Sequence, residues 1–309
     1  MKKLLFIGGT GFLGKSFFDY LNKSQSFRKA LSEIIVLSKK KKKIFSKVKI
    51  SYINRNIVDL KSIPVTDYII YAINSKNNKE NIKGVLNFKK LLNYKHKNTK
   101  ILYTSSGAVY GKIIKRKKIK ETDLVSIKNV HNYKNYKKEY SISKIKMEKV
   151  FRLLSKNGYN VSIARLFSFI GERILDNKDF ALTNLIKQAL SKKNKIIKLS
   201  DVKDVYRGYM DARDLIEWIF KILINSNKKF DIFNVGSDES TTIENLAKLI
   251  GKKFNKTVIK QKRKNINEID YYVPSIIKAK KKLNLKINHG LKKSLMDLLT
   301  HINKKRDYH

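Results

Sequence analysis

Gly8-Gly-Thr-Gly11-Phe-Leu-Gly14 constrains this chain more than any other segment. The apolar run Lys3–Ile7 leads straight into it, and Phe12–Asn22, which has helical spacing, leads out of it. A buried strand turning sharply into a helix, with glycines at Gly-x-x-Gly-x-x-Gly spacing, lets the backbone come close to a pyrophosphate. The helix N-terminus then offers unpaired N–H groups and a partial positive charge to the phosphates.

The rest of the first half keeps the same rhythm. Glu33–Leu37, Val48–Ile53, Asp67–Ile73 and Lys100–Ser105 read as strands. Asn81–Tyr94 reads as a helix with Val85, Phe88, Leu91 and Leu92 on one face. In the second half, Tyr140–Ser155, Phe180–Leu190 and Asp211–Ile224 read as helices, and Asn160–Phe167 and Phe230–Val235 as strands. Thr241–Ile250 reads as a helix capped by Thr241 or Thr242. Strands alternating with helices predict an α/β fold: a doubly wound parallel Rossmann sheet with a smaller C-terminal α/β domain that binds substrate. The expected division puts residues 1–168 in the Rossmann domain, with a return segment 207–235. Residues 169–206 and 236–309 are expected to build the smaller domain.

Composition narrows the function. The chain has 309 residues and is 42% hydrophobic, enough to fill a sizeable core. It has no cysteine, so disulfides and thiolate metal sites are excluded. The histidines, His96, His131, His289, His301 and His309, form no His-x-x-x-His pair, and no metal site is expected. The formal charge is +45. Lysines occur in nearly every segment, and only Lys39–Lys43 and Lys115–Lys118 are dense runs, so the excess reads as a general bias that attracts anionic ligands. Nucleic acid is not the expected partner. A non-catalytic Rossmann protein that binds NADP(H) or RNA is the alternative from another functional class. No stretch approaches the roughly 18 apolar residues of a membrane span. Met1–Ile7 is too short for a signal peptide, and a cytoplasmic protein is expected.

Two further segments carry chemistry. Tyr140-Ser-Ile-Ser-Lys144 puts a phenol and an ammonium on one helix face at i, i+4. A nearby ammonium stabilises phenolate, which equips a tyrosine for proton transfer. Tyr133 and Lys137 share the spacing, but Tyr133 lies in a polar stretch, whereas Tyr140 opens a helix with apolar Ile142, Ile145, Val150, Leu153 and Leu154. The fifth strand ends in Thr104-Ser-Ser106-Gly-Ala-Val-Tyr-Gly111, where a serine can bond a substrate oxygen or the Tyr140 hydroxyl. The second strand ends in Ser38-Lys39-Lys40, without the acid that usually holds an NAD ribose. A hydroxyl followed by lysines suits a 2′-phosphate, so NADP(H) is expected ahead of NAD.

Taken in order, these segments resemble the extended short-chain dehydrogenase/reductases of the NAD-dependent epimerase/dehydratase family, which act on nucleotide sugars. Asn81-Ile-Lys-Gly84, Arg165–Gly171, Arg207–Leu215 and Phe233-Asn-Val-Gly236 belong to the same likeness. The resemblance implies a catalytic set of Ser106, Tyr140 and Lys144. It implies a cofactor site of Gly8, Gly11, Phe12, Leu13, Gly14, Ser38, Lys39, Asn56, Ala72, Tyr140, Lys144 and Phe167. Substrate would meet Ser106, Ser168 and Arg207, with Arg207 on the diphosphate. Ser168 replaces the family's usual Asn. Gly107 and Ala108 replace the acid pair of the 4,6-dehydratases, and neither can move a proton. What remains is a 4-keto-sugar reductase or a 4-epimerase, with the missing acid after the second strand leaning towards reduction by NADPH. A homodimer is also implied.

Overall fold

Successive residues of the first strand go to opposite cores. Leu4 and Phe6 join the cluster containing Phe17, Phe18, Leu21 and Trp218. Leu5 and Ile7 join the one containing Val85, Phe88, Met147 and Phe151. A strand covered on both faces needs a continuous apolar run rather than alternation, which is how Leu4–Ile7 reads.

The computed structural model describes residues 1–40, 42–133, 135–176, 180–193, 195–199, 204–260 and 269–307. Lys41, inside the Lys39–Lys43 run, and His309 lie outside the described residues. The chain begins β1 (Lys2–Ile7), α1 (Phe12–Lys23), α2 (Gln25–Ala30), β2 (Leu31–Ser38), β3 (Lys49–Asn54), β4 (Tyr68–Tyr71), α3 (Asn78–Leu91), β5 (Lys100–Ser106), α4 (Ile127–Val130), α5 (Asn135–Lys156) and β6 (Asn160–Leu166). It continues β7 (Ser168–Ile170), α6 (Ala181–Leu190), β8 (Ile196–Leu199), β9 (Asp204–Arg207), β10 (Tyr209–Asp211), α7 (Ala212–Ile224), β11 (Asp231–Val235), β12 (Thr241–Thr242), α8 (Ile243–Phe254), β13 (Thr257–Lys260), β14 (Ile269–Tyr272), α9 (Ile277–Leu283) and α10 (Leu291–Asp307).

The main sheet has the order β11-β6-β5-β4-β1-β2-β3, and its neighbours are all parallel. The chain steps from β1 outward to β3 and then returns to the other side of β1, so the strand order reverses between β1 and β4. That crevice, at the carboxyl ends of the strands, is where open α/β sheets bind ligands. The predicted doubly wound sheet is present. A separate cluster, with Leu182, Leu185 and Ile186 of α6, Leu246 and Ile250 of α8, and Leu295, Leu298 and Leu299 of α10, forms the core of the smaller part. Ile276, Ala279 and Leu285 pack instead with α1 and α7 against the main sheet.

Two helices begin earlier than their apolar periodicity suggests. α3 starts at Asn78, because the Asn77 side chain accepts the Glu80 N–H at 3.1 Å and caps it. α5 starts at Asn135 rather than Tyr140. Its first turn carries the polar and aromatic residues Tyr136 and Lys137, which give no apolar signal but are compatible with a helix. Thr242 caps α8 as anticipated, accepting the Asn245 N–H at 3.0 Å. Among the described residues no helix is long and apolar enough to cross a membrane.

Candidate active site

The glycine turn lies at the reversal point. Gly8 has φ +85°, a conformation that side chains rarely adopt, and a Cβ there would meet the Ala72 carbonyl oxygen at 2.8 Å. Its N–H donates to the Leu37 carbonyl at 2.9 Å, and the Gly11 N–H donates to Gly8 at 3.1 Å. Gly14 packs on the Gly9 backbone. Ala72 donates its N–H to Ile7 at 2.9 Å, so the turn and the end of β4 are locked together. α1 has no side-chain cap and no acid in its first turn. Its positive end is open to an anion, and the tight Gly8–Ala72 approach leaves a bare backbone cradle, which fits a dinucleotide pyrophosphate. The Phe12 ring stacks on Phe169 at 4.6 Å, while Leu13 packs against the core that holds Phe17, Phe18 and Leu21.

On the other side of β4, α5 packs on the face of β5 and β6, with Met147, Phe151 and Leu154 against Tyr103, Val161 and Ile163. Lys144 is buried, donates to the Thr104 carbonyl at 3.2 Å, and has its ammonium 5.7 Å from the centre of the Tyr140 ring. Burial lowers its pKa to about 8, and Glu148 opposes that shift. Crowding around the Tyr140 phenol pushes its pKa up to about 12, partly offset by the neighbouring Ser106 hydroxyl. Tyr140 as a whole is half-buried. Ser106 also accepts the Ala108 N–H at 3.2 Å, starting the 3-10 turn Gly107–Tyr110. The three residues expected to act together are therefore side by side.

A buried network holds them there. Arg165 donates Nε and Nη2 to the two oxygens of Glu148 at 3.0 and 2.8 Å, and Nη1 to the Tyr110 hydroxyl at 2.8 Å. Ser105 donates to Glu148 at 2.6 Å, and Tyr110 donates to Asn234 at 2.8 Å. Burial works against the Arg165 charge, but the bonds to Glu148 and Tyr110 raise its pKa above the usual value. Glu148 is one turn beyond Lys144, so the pair fastens the face of α5 that carries Tyr140 and Lys144 to β5 and β6. The spacing Tyr140, Lys144, Glu148 was a readable sign of this.

Sequence reasoning also missed Tyr272. β14 pairs in register with β9, setting Tyr272 opposite Arg207. The Tyr272 hydroxyl neighbours both Ser106 and Tyr140. A Cβ on Gly107 would meet that hydroxyl at 2.6 Å and the Phe167 ring at 2.7 Å. No acid fits at Gly107 while those two rings stand there. Phe167 is buried, 4.7 Å from the Tyr272 ring, and serves as a wall of the cleft. Ser168 opens β7, opposite Tyr209 of β10.

Arg207 enters from the far wall. Its Nη2 donates to Asp270 at 2.7 Å, and its Nη1 donates to the Tyr206 and Asp270 carbonyls at 2.8 and 3.2 Å. Among the described residues, two of the guanidinium's five N–H donors, Nε–H and one on Nη2, have no hydrogen-bond partner. Tyr133 and Lys137, set aside in the sequence as a polar stretch, line this same wall. Tyr133 donates to the Gly111 carbonyl at 2.6 Å, and the Lys137 ammonium sits 4.0 Å over its ring. Tyr133, just before α5, and Lys137, in its first turn, both face Arg207 and Asp270. It is not the pair beside Ser106.

At the opposite end, Ser38 donates to the Lys40 carbonyl at 2.8 Å. Lys39 forms an ion pair with Glu80. Asn56 donates to the same carboxylate at 2.8 Å. Glu80 was not among the expected residues. Its signal in the sequence was the cap pattern Asn77-x-x-Glu80.

Residues 4–236 match the family model described as the NAD dependent epimerase/dehydratase family. No curated protein matches the chain in sequence. Among solved structures, a dTDP-glucose 4,6-dehydratase from Bacillus anthracis str. Ames in complex with NAD is similar at TM-score 0.79 and 16% identity, covering 100% of this chain and 98% of that one. A UDP-glucose 4-epimerase from Thermotoga maritima with UDP-glucose is similar at TM-score 0.75 and 18% identity, covering 98% and 99%. The RMD of Pseudomonas aeruginosa complexed with NADPH is similar at TM-score 0.73 and 19% identity, covering 97% and 98%. At such identities the likeness speaks for the fold.

Proposed function

This chain belongs to the NAD dependent epimerase/dehydratase family, and we propose that it interconverts a hydroxyl and a keto group at a sugar carbon, C4, of a nucleotide sugar. The observation that carries this reading is the meeting of Ser106, Tyr140 and Lys144 beside the glycine cradle. The similar structures solved with NAD, NADPH and UDP-glucose support it.

Each residue has a physical role in the proposal. The nicotinamide, when bound, supplies or takes the hydride. Tyr140, protonated at neutral pH, gives a proton to a keto oxygen or returns to phenol after taking one from a hydroxyl. The Lys144 ammonium stabilises the phenolate between those states. Ser106 holds the same sugar oxygen. Arg207 offers its remaining N–H groups to the diphosphate. The smaller part, built around α6, α8 and α10, completes the substrate side of the cleft. Water elimination is left out of the proposal, because Gly107 and Ala108 carry no proton and the space beside Gly107 is filled. A homodimer through α3 and α5, where Leu86 and Leu153 are exposed, belongs to the same reading.

Two outcomes share this step. A 4-keto reductase consumes a fresh reduced cofactor each turnover, and the segment Arg165–Gly171 favours it. A 4-epimerase retains NAD, and one observation favours it: Lys39, the cation expected at a 2′-phosphate, is already paired with Glu80. Incubating the purified protein with UDP-, dTDP-, CDP- and GDP-sugars and identifying products by NMR separates the two. Tyr140→Phe is expected to lower turnover by about 10²–10⁴-fold, and full retained turnover would sink the mechanism. Salt-sensitive RNA binding without any sugar-nucleotide binding would favour the non-catalytic alternative.

A further inference from the structure

β2 ends without a carboxylate, yet the structure brings one to that place from another element. Glu80, in the first turn of α3, is an ion-pair partner of Lys39 just beyond β2. Its Oε1 accepts from Asn56, just beyond β3, at 2.8 Å. Its Oε2 accepts from Ser75, just beyond β4, at 3.3 Å. The Asn77 cap fixes the backbone of Glu80, so the carboxylate is positioned rather than loose. Lys39 is the main cause that holds the Glu80 carboxyl below the usual range, so it is charged at neutral pH. These partners stand at the carboxyl ends of three strands around β1, on the same edge as the Gly8 turn.

We propose that Glu80 is the cofactor-selecting acid of this chain: it takes the place of the acid missing from β2, accepts a bond from an adenosine ribose hydroxyl, and favours NAD(H) over NADP(H). The inference rests on the dinucleotide-binding reading above. An ionised carboxylate has about four lone-pair sites. Oε1 uses two, on Lys39 and Asn56, and Oε2 uses one, on Ser75. Counting the described residues, one site on Oε2 is left for a hydroxyl donor. A 2′-phosphate would instead set a second anion against Glu80 and would require Lys39 to leave its partner. Lys39 neutralises Glu80 here and is not a spare phosphate anchor. Lys40, Lys42, Lys43 and Arg55, exposed in the same two loops, are further cations nearby in sequence. The consequence for the reaction is that retained NAD, and hence epimerisation, gains over NADPH-driven reduction.

The test is calorimetric titration of the full-length protein with NADH and with NADPH, alongside Glu80→Gln and Lys39→Met. Wild type is expected to bind NADH at least about tenfold more tightly than NADPH, which corresponds to about 1.4 kcal/mol. Glu80→Gln keeps the shape but removes the charge, and is expected to collapse that ratio towards one. Lys39→Met is expected to widen it. A ratio that Glu80→Gln does not move, or a wild-type preference for NADPH, overturns the inference alone. Protein that is folded by circular dichroism but binds neither nucleotide overturns the dinucleotide reading as well.

Discussion

At the α5 end of the cleft the important groups are buried and tied to one another, whereas at the α3 end they stand near the surface and meet as charges. Glu148 and Arg165 are almost fully enclosed and share a two-pronged contact with Ser105 and Tyr110 around it. Lys39 and Glu80 meet with more than half of the lysine side chain in water. Removing water makes each bond at the α5 end strong, and makes a missing partner costly. Water at the α3 end screens the pair, so its charges influence which ligand binds more than whether the chain folds. Proton transfer needs a fixed phenol and ammonium, while discrimination between two dinucleotides needs only a local sign of charge.

The sharpest way to break this contrast is Arg165→Met. It leaves the Glu148 carboxylate buried without its partner, and is expected to cost about 3–5 kcal/mol in urea unfolding. The double variant Glu148→Leu/Arg165→Met should recover part of that loss, because neither charge of this pair is left without the other, although Lys144 then loses the Glu148 carboxylate beside it. If the single variant unfolds like wild type, the network does not hold the site.

A second test is pH. The Lys144 ammonium has its pKa lowered to about 8 by burial, while Tyr140 stays protonated until about 12. kcat/KM is expected to fall above pH 8, by about tenfold per unit, as the cation that supports the phenolate is lost. Stability has the opposite sign. A lysine whose folded pKa lies below its unfolded value penalises folding most when it is charged, below pH 8. That penalty is relieved as pH rises towards the ordinary lysine value. An activity limb that tracks unfolding rather than opposing it would argue against this assignment. The smallest effect is expected at the α3 end: Lys39→Met should change stability by less than about 1 kcal/mol in the same urea experiment.

Much of this arrangement is legible in the chain. The glycine turn, the double-faced apolar strands and the Tyr140/Lys144 spacing each depend on neighbours within a few residues, and each reappears in the structure. Tyr133 and Lys137 were harder to place, because the start of α5 has no apolar stripe to mark it. Their polar surroundings in sequence hide that they face the Arg207 wall.

The sequence by itself determined the parallel sheet, the cradle at Gly8 and the absence of an acid at Gly107, because short-range periodicity, backbone sterics and side-chain chemistry decide those locally. Tertiary structure alone decided that Tyr272 crowds Gly107, that Arg207 is paired with Asp270, and that Glu80 reaches the end of β2. Those pairs are far apart along the chain and meet only when strands and helices pack. The charge a ligand meets depends on that packing, so the lysines after β2, which looked free in the sequence, include one already neutralised in the fold.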